Sequence, residues 1–166
     1  MSLNRPSKVE YYLGIAREVA RRGTCLRRNF GAVIVNNDQI VSTGYTGAPR
    51  GMKNCVDLNY CLREKKRIPR GQRYELCKSV HAETNAIIHA SRQQMNGGIL
   101  FLAGLSAKDG TIVAEAEPCK MCKKAIINAG IEKVYILGIN NTFKKVSVSD
   151  WIEREENIFS DNTNSY

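Results

Sequence analysis

Near the start of the chain, apolar residues recur at the spacing of a helix. Val9, Leu13, Ala16 and Ala20 share one side, while Arg17, Arg21 and Arg22 suit the other side and the last turn. Ser7 with Glu10 three residues on forms a capping box at its start, and Pro6 precedes the cap. The pattern then changes to short continuous apolar runs. Residues 31–35 (GAVIV) read as a buried strand, Asn36, Asn37 and Asp38 as a turn, and residues 39–45 (QIVSTGY) as a second strand, so a hairpin is expected.

Residues 46–78 break this rhythm with a long polar stretch punctuated by Gly and Pro and carrying three cysteines; a loop this long inside a compact domain is usually functional or pinned by metal. Residues 83–95 (ETNAIIHASRQQM) read as one helix closed by Gly97 and Gly98. A buried strand follows at 99–105, then an excursion at 106–117 with an Asp109-Gly110 turn. Pro118 opens another helix that ends at Gly130, and residues 133–138 form a further strand. From Asn140 the tail is weakly patterned, with a short helix expected around 150–156 and a polar, frayed end. No internal repeat is present. The element order predicts an α/β sandwich in which at least two helical crossovers join parallel strands.

Composition narrows the class. At 166 residues the expectation is one domain, 1–166, and 43% apolar with 25% charged residues is ordinary for a globular protein. No apolar run approaches the roughly 18 residues that span a bilayer, and the first residues lack the apolar core of a secretory signal. The cytoplasm is therefore the expected location, with no membrane partner. The net charge of +9 suits either anionic partners or a basic solvated surface. Six cysteines at 25, 55, 61, 77, 119 and 122 point to metal or catalysis rather than to a disulfide framework.

Two pairs carry the chemistry. His81 and Glu83 stand at the head of one predicted helix, and Cys119 and Cys122 at the head of another. A C-x-x-C pair alone is equally a zinc knuckle or a redox pair, and a single histidine at a helix start is usually only hydrogen-bonded. In combination they are far more specific, because H-x-E followed by P-C-x-x-C is the pattern of zinc-dependent base deaminases. Three protein ligands leave a tetrahedral zinc ion one open position for water, and Glu83, beside a ligand without being one, is placed to carry protons. His89, two turns beyond His81, is too far along the helix to share that ion and reads as structural.

The segments GAVIVNNDQIVSTGYTGAPRG, HAETNAI and EPCKMCKKAIINAGIEKVYIL resemble the deoxycytidylate deaminases of the cytidine deaminase superfamily, over roughly residues 8–138. The resemblance implies a three-layer α/β/α sandwich around a mixed five-stranded sheet of order 2-1-3-4-5. It implies hydrolysis of dCMP to dUMP and ammonia, supplying thymidylate synthesis, in a homo-oligomer activated by dCTP and inhibited by dTTP. His81, Cys119 and Cys122 then match the ligands of a catalytic zinc, whose hydroxide attacks C4 of cytosine, and Glu83 matches the proton shuttle. The loop containing Tyr45, Thr46, Gly47 and Ala48 resembles the segment that grips the nucleotide, although Thr46 stands where the family usually has asparagine. Gly47 and Gly51 would let backbone approach the ligand. Arg28, Arg50 and Lys53 are the candidates for the 5′-phosphate on charge and proximity alone; solvated surface cations are the equal alternative.

Cys25, Cys55 and Cys77 occupy positions that match a second, structural zinc of the family, and Cys61 is the least secure fourth ligand. Such an ion would pin the 46–78 loop; free buried thiols are the alternative. Between the third strand and PCKMC the family usually has only a few residues, so residues 104–117 read as an insertion beside the catalytic mouth. Two rival readings remain: a deaminase of another nucleotide or of a base in tRNA or single-stranded nucleic acid, and a non-catalytic zinc protein that binds nucleotides. Against nucleic acid stands the lack of an aromatic-plus-basic stacking platform.

Overall fold

The computed structural model describes residues 5–69, 71–114 and 116–154. Helix α1 spans Lys8–Ala20, and its capping box is made as the sequence predicts: the Ser7 hydroxyl accepts from the Glu10 amide at 3.2 Å, and the Ser7 amide donates to the Glu10 carboxylate at 2.7 Å. Strands β1 (Arg28–Asn36) and β2 (Gln39–Tyr45) form the expected hairpin. Asn37 and Asp38 turn it with φ of 47° and 62°, the left-handed pair that a tight two-residue hairpin requires.

The five-stranded sheet has the order β2-β1-β3-β4-β5, with β3 at Ile99–Ser106, β4 at Lys133–Leu137 and β5 at Phe143–Ser147. Strand β1 runs antiparallel to both its neighbours, β3 pairs parallel with β4, and β5 returns antiparallel. Strands β2, β3 and β4 therefore point the same way, so both helical crossovers join parallel strands, although only β3 and β4 are adjacent.

Alternation along β1 and β3 feeds two cores. Val33, Val35, Phe101 and Ala103 face Tyr12, Leu13 and Ala16 of α1, while Ala32, Ile34, Leu100 and Leu102 face the helices of the opposite layer. That layer contains α4 (Ala82–Ile88), α6 (Lys120–Ala129) and α7 (Val148–Glu153). Close approach fixes its position. A Cβ on Gly44 of β2 would lie 2.2 Å from the Ala86 amide nitrogen, so α4 rests directly on strand backbone.

Three expectations change. The single helix predicted over 83–95 is two, α4 and a short α5 (Arg92–Met95), because Ser91 opens a capping box with Gln94 and restarts the chain. The tail contributes strand β5, whose first three residues are exposed and so show no apolar alternation; the helix expected at 150–156 begins earlier, at Val148, and the part beyond residue 154 lies outside the described residues. The 46–78 stretch is loop interrupted by α2 (Cys55–Leu58), α3 (Leu62–Lys65) and a 3-10 turn at Tyr74–Leu76. The insertion over 104–117 begins within β3 and folds back on it: Leu105 bridges Ile112, and the Val113 amide donates to the Gly104 carbonyl at 2.9 Å. Among the described residues no helix is long and apolar enough to cross a membrane.

Candidate active site

Two helix starts meet at one end of the sheet. His81 is the N-cap residue of α4 and Cys119 that of α6, and in neither does the side chain cap its own helix. An antiparallel bridge between Gly47 and Val80 ties the chain entering α4 to the end of β2, with the Val80 amide donating to the Gly47 carbonyl at 2.8 Å. Pro118 precedes α6, and its second residue pair places Cys122 one turn beyond Cys119 on the buried side.

His81 Nδ1 lies 3.5 Å from Cys119 Sγ and 3.4 Å from Cys122 Sγ. Bonds of about 2.3 Å to sulfur and about 2.0–2.1 Å to nitrogen give a tetrahedral zinc site an N···S edge of about 3.6 Å, so the donor set fits the ion in both chemistry and spacing. Among the described residues, these three form the only set of three or more His, Cys, Asp or Glu side chains whose ligand atoms all lie within 4.8 Å of one another.

A hydrogen bond from Cys122 and the neighbouring His81 draw the Cys119 thiol well below its ordinary value, while Cys122, donor in that bond and buried, is held above it. Burial works against a charged imidazole, but the bond to Cys119 and the charge of Glu83 outweigh it and raise His81. The arrangement favours a cation at the cluster, since a bound metal would replace the shared protons. The Thr84 hydroxyl sits 3.8 Å from Cys122 Sγ as a further polar neighbour.

Glu83 is 5% exposed, and burial pushes its carboxyl above the usual carboxylate range, opposed by His81. It lines a cavity of about 1120 Å³ together with His81 and Cys119. A buried carboxyl on the wall of a cavity that also holds a candidate metal site is placed to exchange protons with a ligand there.

The remaining predicted residues divide. Arg28 and Thr46 line this cavity. The Thr46 hydroxyl accepts from the Phe30 amide at 3.0 Å, so it is partly occupied in tying the end of β2 to β1. Tyr45 is exposed and uses its carbonyl to hold the Asn85 side chain at 2.8 Å; Gly47 is engaged in its bridge, and the Ala48 amide donates to Asn54 Oδ1 at 3.2 Å. Arg50 and Lys53 are not among the residues lining the cavity. Arg50 instead donates from Nη2 to His89 Nε2 at 2.8 Å, while His89 Nδ1 donates to the Thr43 carbonyl at 2.8 Å. His89 thus has the structural position expected of it, at the end of α4.

Cys25, Cys61 and Cys77 line the same cavity, and Cys55 is buried beside Ser79, its Sγ 3.9 Å from Oγ. Burial raises the Cys55 and Cys77 thiols, and neighbouring cysteines add to it: Cys25 and Cys61 at Cys55, Cys25 and Cys55 at Cys77. The four gather in one neighbourhood without closing into a set as tight as the first. Sequence reading missed Arg63 and Tyr74 of the cavity wall, and Asn54, which holds Thr24 and Ala48 together. Only Asn54 leaves a local signal, an N-x-x-D capping box with Asp57.

Fold and site together define a mixed-sheet α/β sandwich whose His81, Cys119 and Cys122 could hold a metal ion, with the Glu83 carboxyl buried outside that donor set. The family model for the cytidine and deoxycytidylate deaminase zinc-binding region matches residues 6–138, and the chain belongs to that family. It is 34% identical over 137 residues to the deoxycytidylate deaminase of Mycobacterium phage D29, covering 80% of this chain and 95% of the phage protein. The deoxycytidylate deaminase of Schizosaccharomyces pombe is 32% identical over 78% of this chain, which spans only 37% of that longer protein. The crystal structure of the cyanophage S-TIM5 dCMP deaminase in complex with dCMP and dUMP superposes with a TM-score of 0.55 at 26% identity, covering 80% of this chain and 82% of that one. The expected sheet order is the one observed.

Proposed function

We propose that the protein, one deaminase domain over 1–166, hydrolyses dCMP to dUMP and ammonia. The observation that carries the reading is the placement of Glu83: buried, on the cavity wall, next to the His81, Cys119 and Cys122 donor set yet outside it. The near full-length relation to a phage deoxycytidylate deaminase and the likeness to a cyanophage dCMP deaminase support the choice of substrate.

His81 Nδ1 and the two thiolates would hold the zinc ion, which supplies an activated water and Lewis-acid stabilisation of charge at C4 of the base. Glu83 takes the proton of the incoming water and delivers it to N3 as the C4–O bond forms. The same carboxyl then moves the proton of the new C4 hydroxyl to the exocyclic amine, the C4–N bond breaks as the C4 carbonyl forms, and ammonia leaves. The burial that raises Glu83 matches it to both halves of this transfer. Arg28 and Thr46 stand on the cavity wall to meet the sugar phosphate, with Arg50 and Lys53 reaching it only if the loop carrying them rearranges.

Cys25, Cys55 and Cys77, with Cys61 as the fourth ligand, would hold a second zinc that pins the 46–78 loop; their mutual proximity supports this. Assembly into a homo-oligomer, control by dCTP and dTTP, and action in the cytoplasm belong to the same reading. The test is a substrate panel of dCMP, CMP, dCTP, cytidine, deoxycytidine and tRNA, followed by ammonia release. Turnover confined to dCMP is expected, and equal turnover of deoxycytidine would overturn the nucleotide reading.

A further inference from the structure

A guanidinium cannot shed its proton inside a protein, so an arginine taken out of water must have its charge answered where it lies. Arg63, on α3, is 5% exposed and lines the cavity with His81 and Glu83. Its Nη2 donates to the Pro69 carbonyl at 2.8 Å and to the Gln72 carbonyl at 2.6 Å, and its plane lies over the Tyr74 ring, 4.5 Å from the centroid. These contacts fix the side chain without neutralising it. Its Nε–H is buried and has no acceptor, and no carboxylate among the described residues lies within ion-pairing distance of it. Three cations on the same wall are answered by acids: Arg27 by Glu64 at 3.1 Å, and Lys123 and Lys144 both by Glu117.

A buried cation on a cavity wall, held rigid by carbonyls and an aromatic face and paired with no carboxylate, is a site prepared for an anion. Its place relative to the reactive centre follows from two ring contacts in series. Tyr74 and the His81 imidazole meet in an edge-to-face contact at 5.1 Å between centroids, and the Arg63 Cζ lies over the Tyr74 ring. Arg63 thus shares one cavity with His81 and Glu83 and is joined to His81 through a single ring. We propose that Arg63 grips the 5′-phosphate monoester of the substrate and is the residue that separates nucleotide from nucleoside, an inference that rests on the nucleotide-deaminase reading above. The planar fork of the guanidinium suits a phosphate dianion better than a single ammonium group would. Arg63 also differs from Arg50 and Lys53 in being on the cavity wall already.

Steady-state kinetics of the zinc-loaded protein with dCMP and deoxycytidine form the first arm. Arg63→Gln should lower the preference for dCMP over deoxycytidine by about 10- to 100-fold, the loss carried by KM rather than kcat, and Arg63→Lys should recover part of it. An unchanged KM for dCMP, or an equal loss on both substrates, overturns the assignment. The second arm needs no variant. In the ¹⁵N-labelled wild type, the Arg63 Nε–H resonance, identified by its proximity to the Tyr74 ring, should move on adding dUMP and, more weakly, inorganic phosphate. A resonance that moves with neither sinks the proposal, and one that moves with phosphate but not dUMP assigns the site to free phosphate and overturns its role in substrate selection. A resonance that moves with dUMP in a protein that deaminates no cytosine nucleotide keeps Arg63 and sinks the deaminase reading instead.

Discussion

Cysteines reach the cavity in two ways. Cys119 and Cys122 sit on the first turn of α6, a helix packed on the sheet through Ile126 and Ala129, and they meet His81 at the start of α4, which rests on β2 at Gly44. Cys25, Cys61 and Cys77 come from connecting segments, and Cys55 opens a helix of only four residues. The first set stands at 3.4–3.5 Å spacing; the second gathers without closing. Rigid elements set ligand geometry before an ion arrives, whereas loop-borne ligands take theirs from the ion.

The contrast can be broken at several points. The largest expected effect is at Glu83: Glu83→Gln should lower kcat by about 10²- to 10⁴-fold while zinc stays bound, measured by single-turnover assay and metal analysis. Substantial activity in that variant would remove the proton role. Next, Cys77→Ser should lower the metal content by one ion per chain while the ion at His81 remains, with Cys61→Ser weaker in the same direction. A wild-type protein that binds a single zinc would end the case for a loop ion. Third, Gly44→Ala drives a Cβ into the backbone of α4 and should cost about 1–3 kcal/mol, with weaker zinc binding because the helix start moves. Thermal unfolding with and without chelator separates the two effects.

The smallest effect lies far from either set. Hydrogen bonds from Lys8 and Tyr12 hold the Asp38 carboxyl below the ordinary 3.8. A carboxyl lowered in the folded state adds stability that is present above the unfolded value and is lost as pH falls through the folded one. The wild type should therefore lose a small part of its Tm below pH 3.8, and Asp38→Asn should show a flatter acid limb, since the site is exposed and solvent weakens the pair.

What could be read from the chain alone follows the same division. Ser7 with Glu10, the Asn37-Asp38 turn, and His81, Glu83, Cys119 and Cys122 at helix starts all announce themselves through near neighbours. The break at Ser91 does carry a signal, S-x-x-Q, but the continuing apolar rhythm of Ile87 and Ala90 hides it. Strand β5 has no pattern to show because FKKVS is an edge strand with exposed residues and takes its structure from β4. Arg63 is invisible because everything that defines it is non-regular: two loop carbonyls, one ring and a missing acceptor. The contact of Arg50 with His89 is equally hidden, because the two are 39 residues apart in sequence.

The two N-cap positions have a cost. A Ser or Asp at the start of a helix is worth about 1 kcal/mol through its side-chain bond to the first turn, and α4 and α6 begin instead with His81 and Cys119, which make no such bond. A metal ion held by His81, Cys119 and Cys122 would therefore fasten two first turns that lack a side-chain cap. When the ion is withdrawn, their leading amides should exchange with solvent together while the β1–β3 ladder stays protected, and adding zinc should seal both in one step. Such an ion would serve as a clasp as well as a reagent: a chain stripped of it would loosen its reactive centre as a unit and keep the sheet on which to rebuild it.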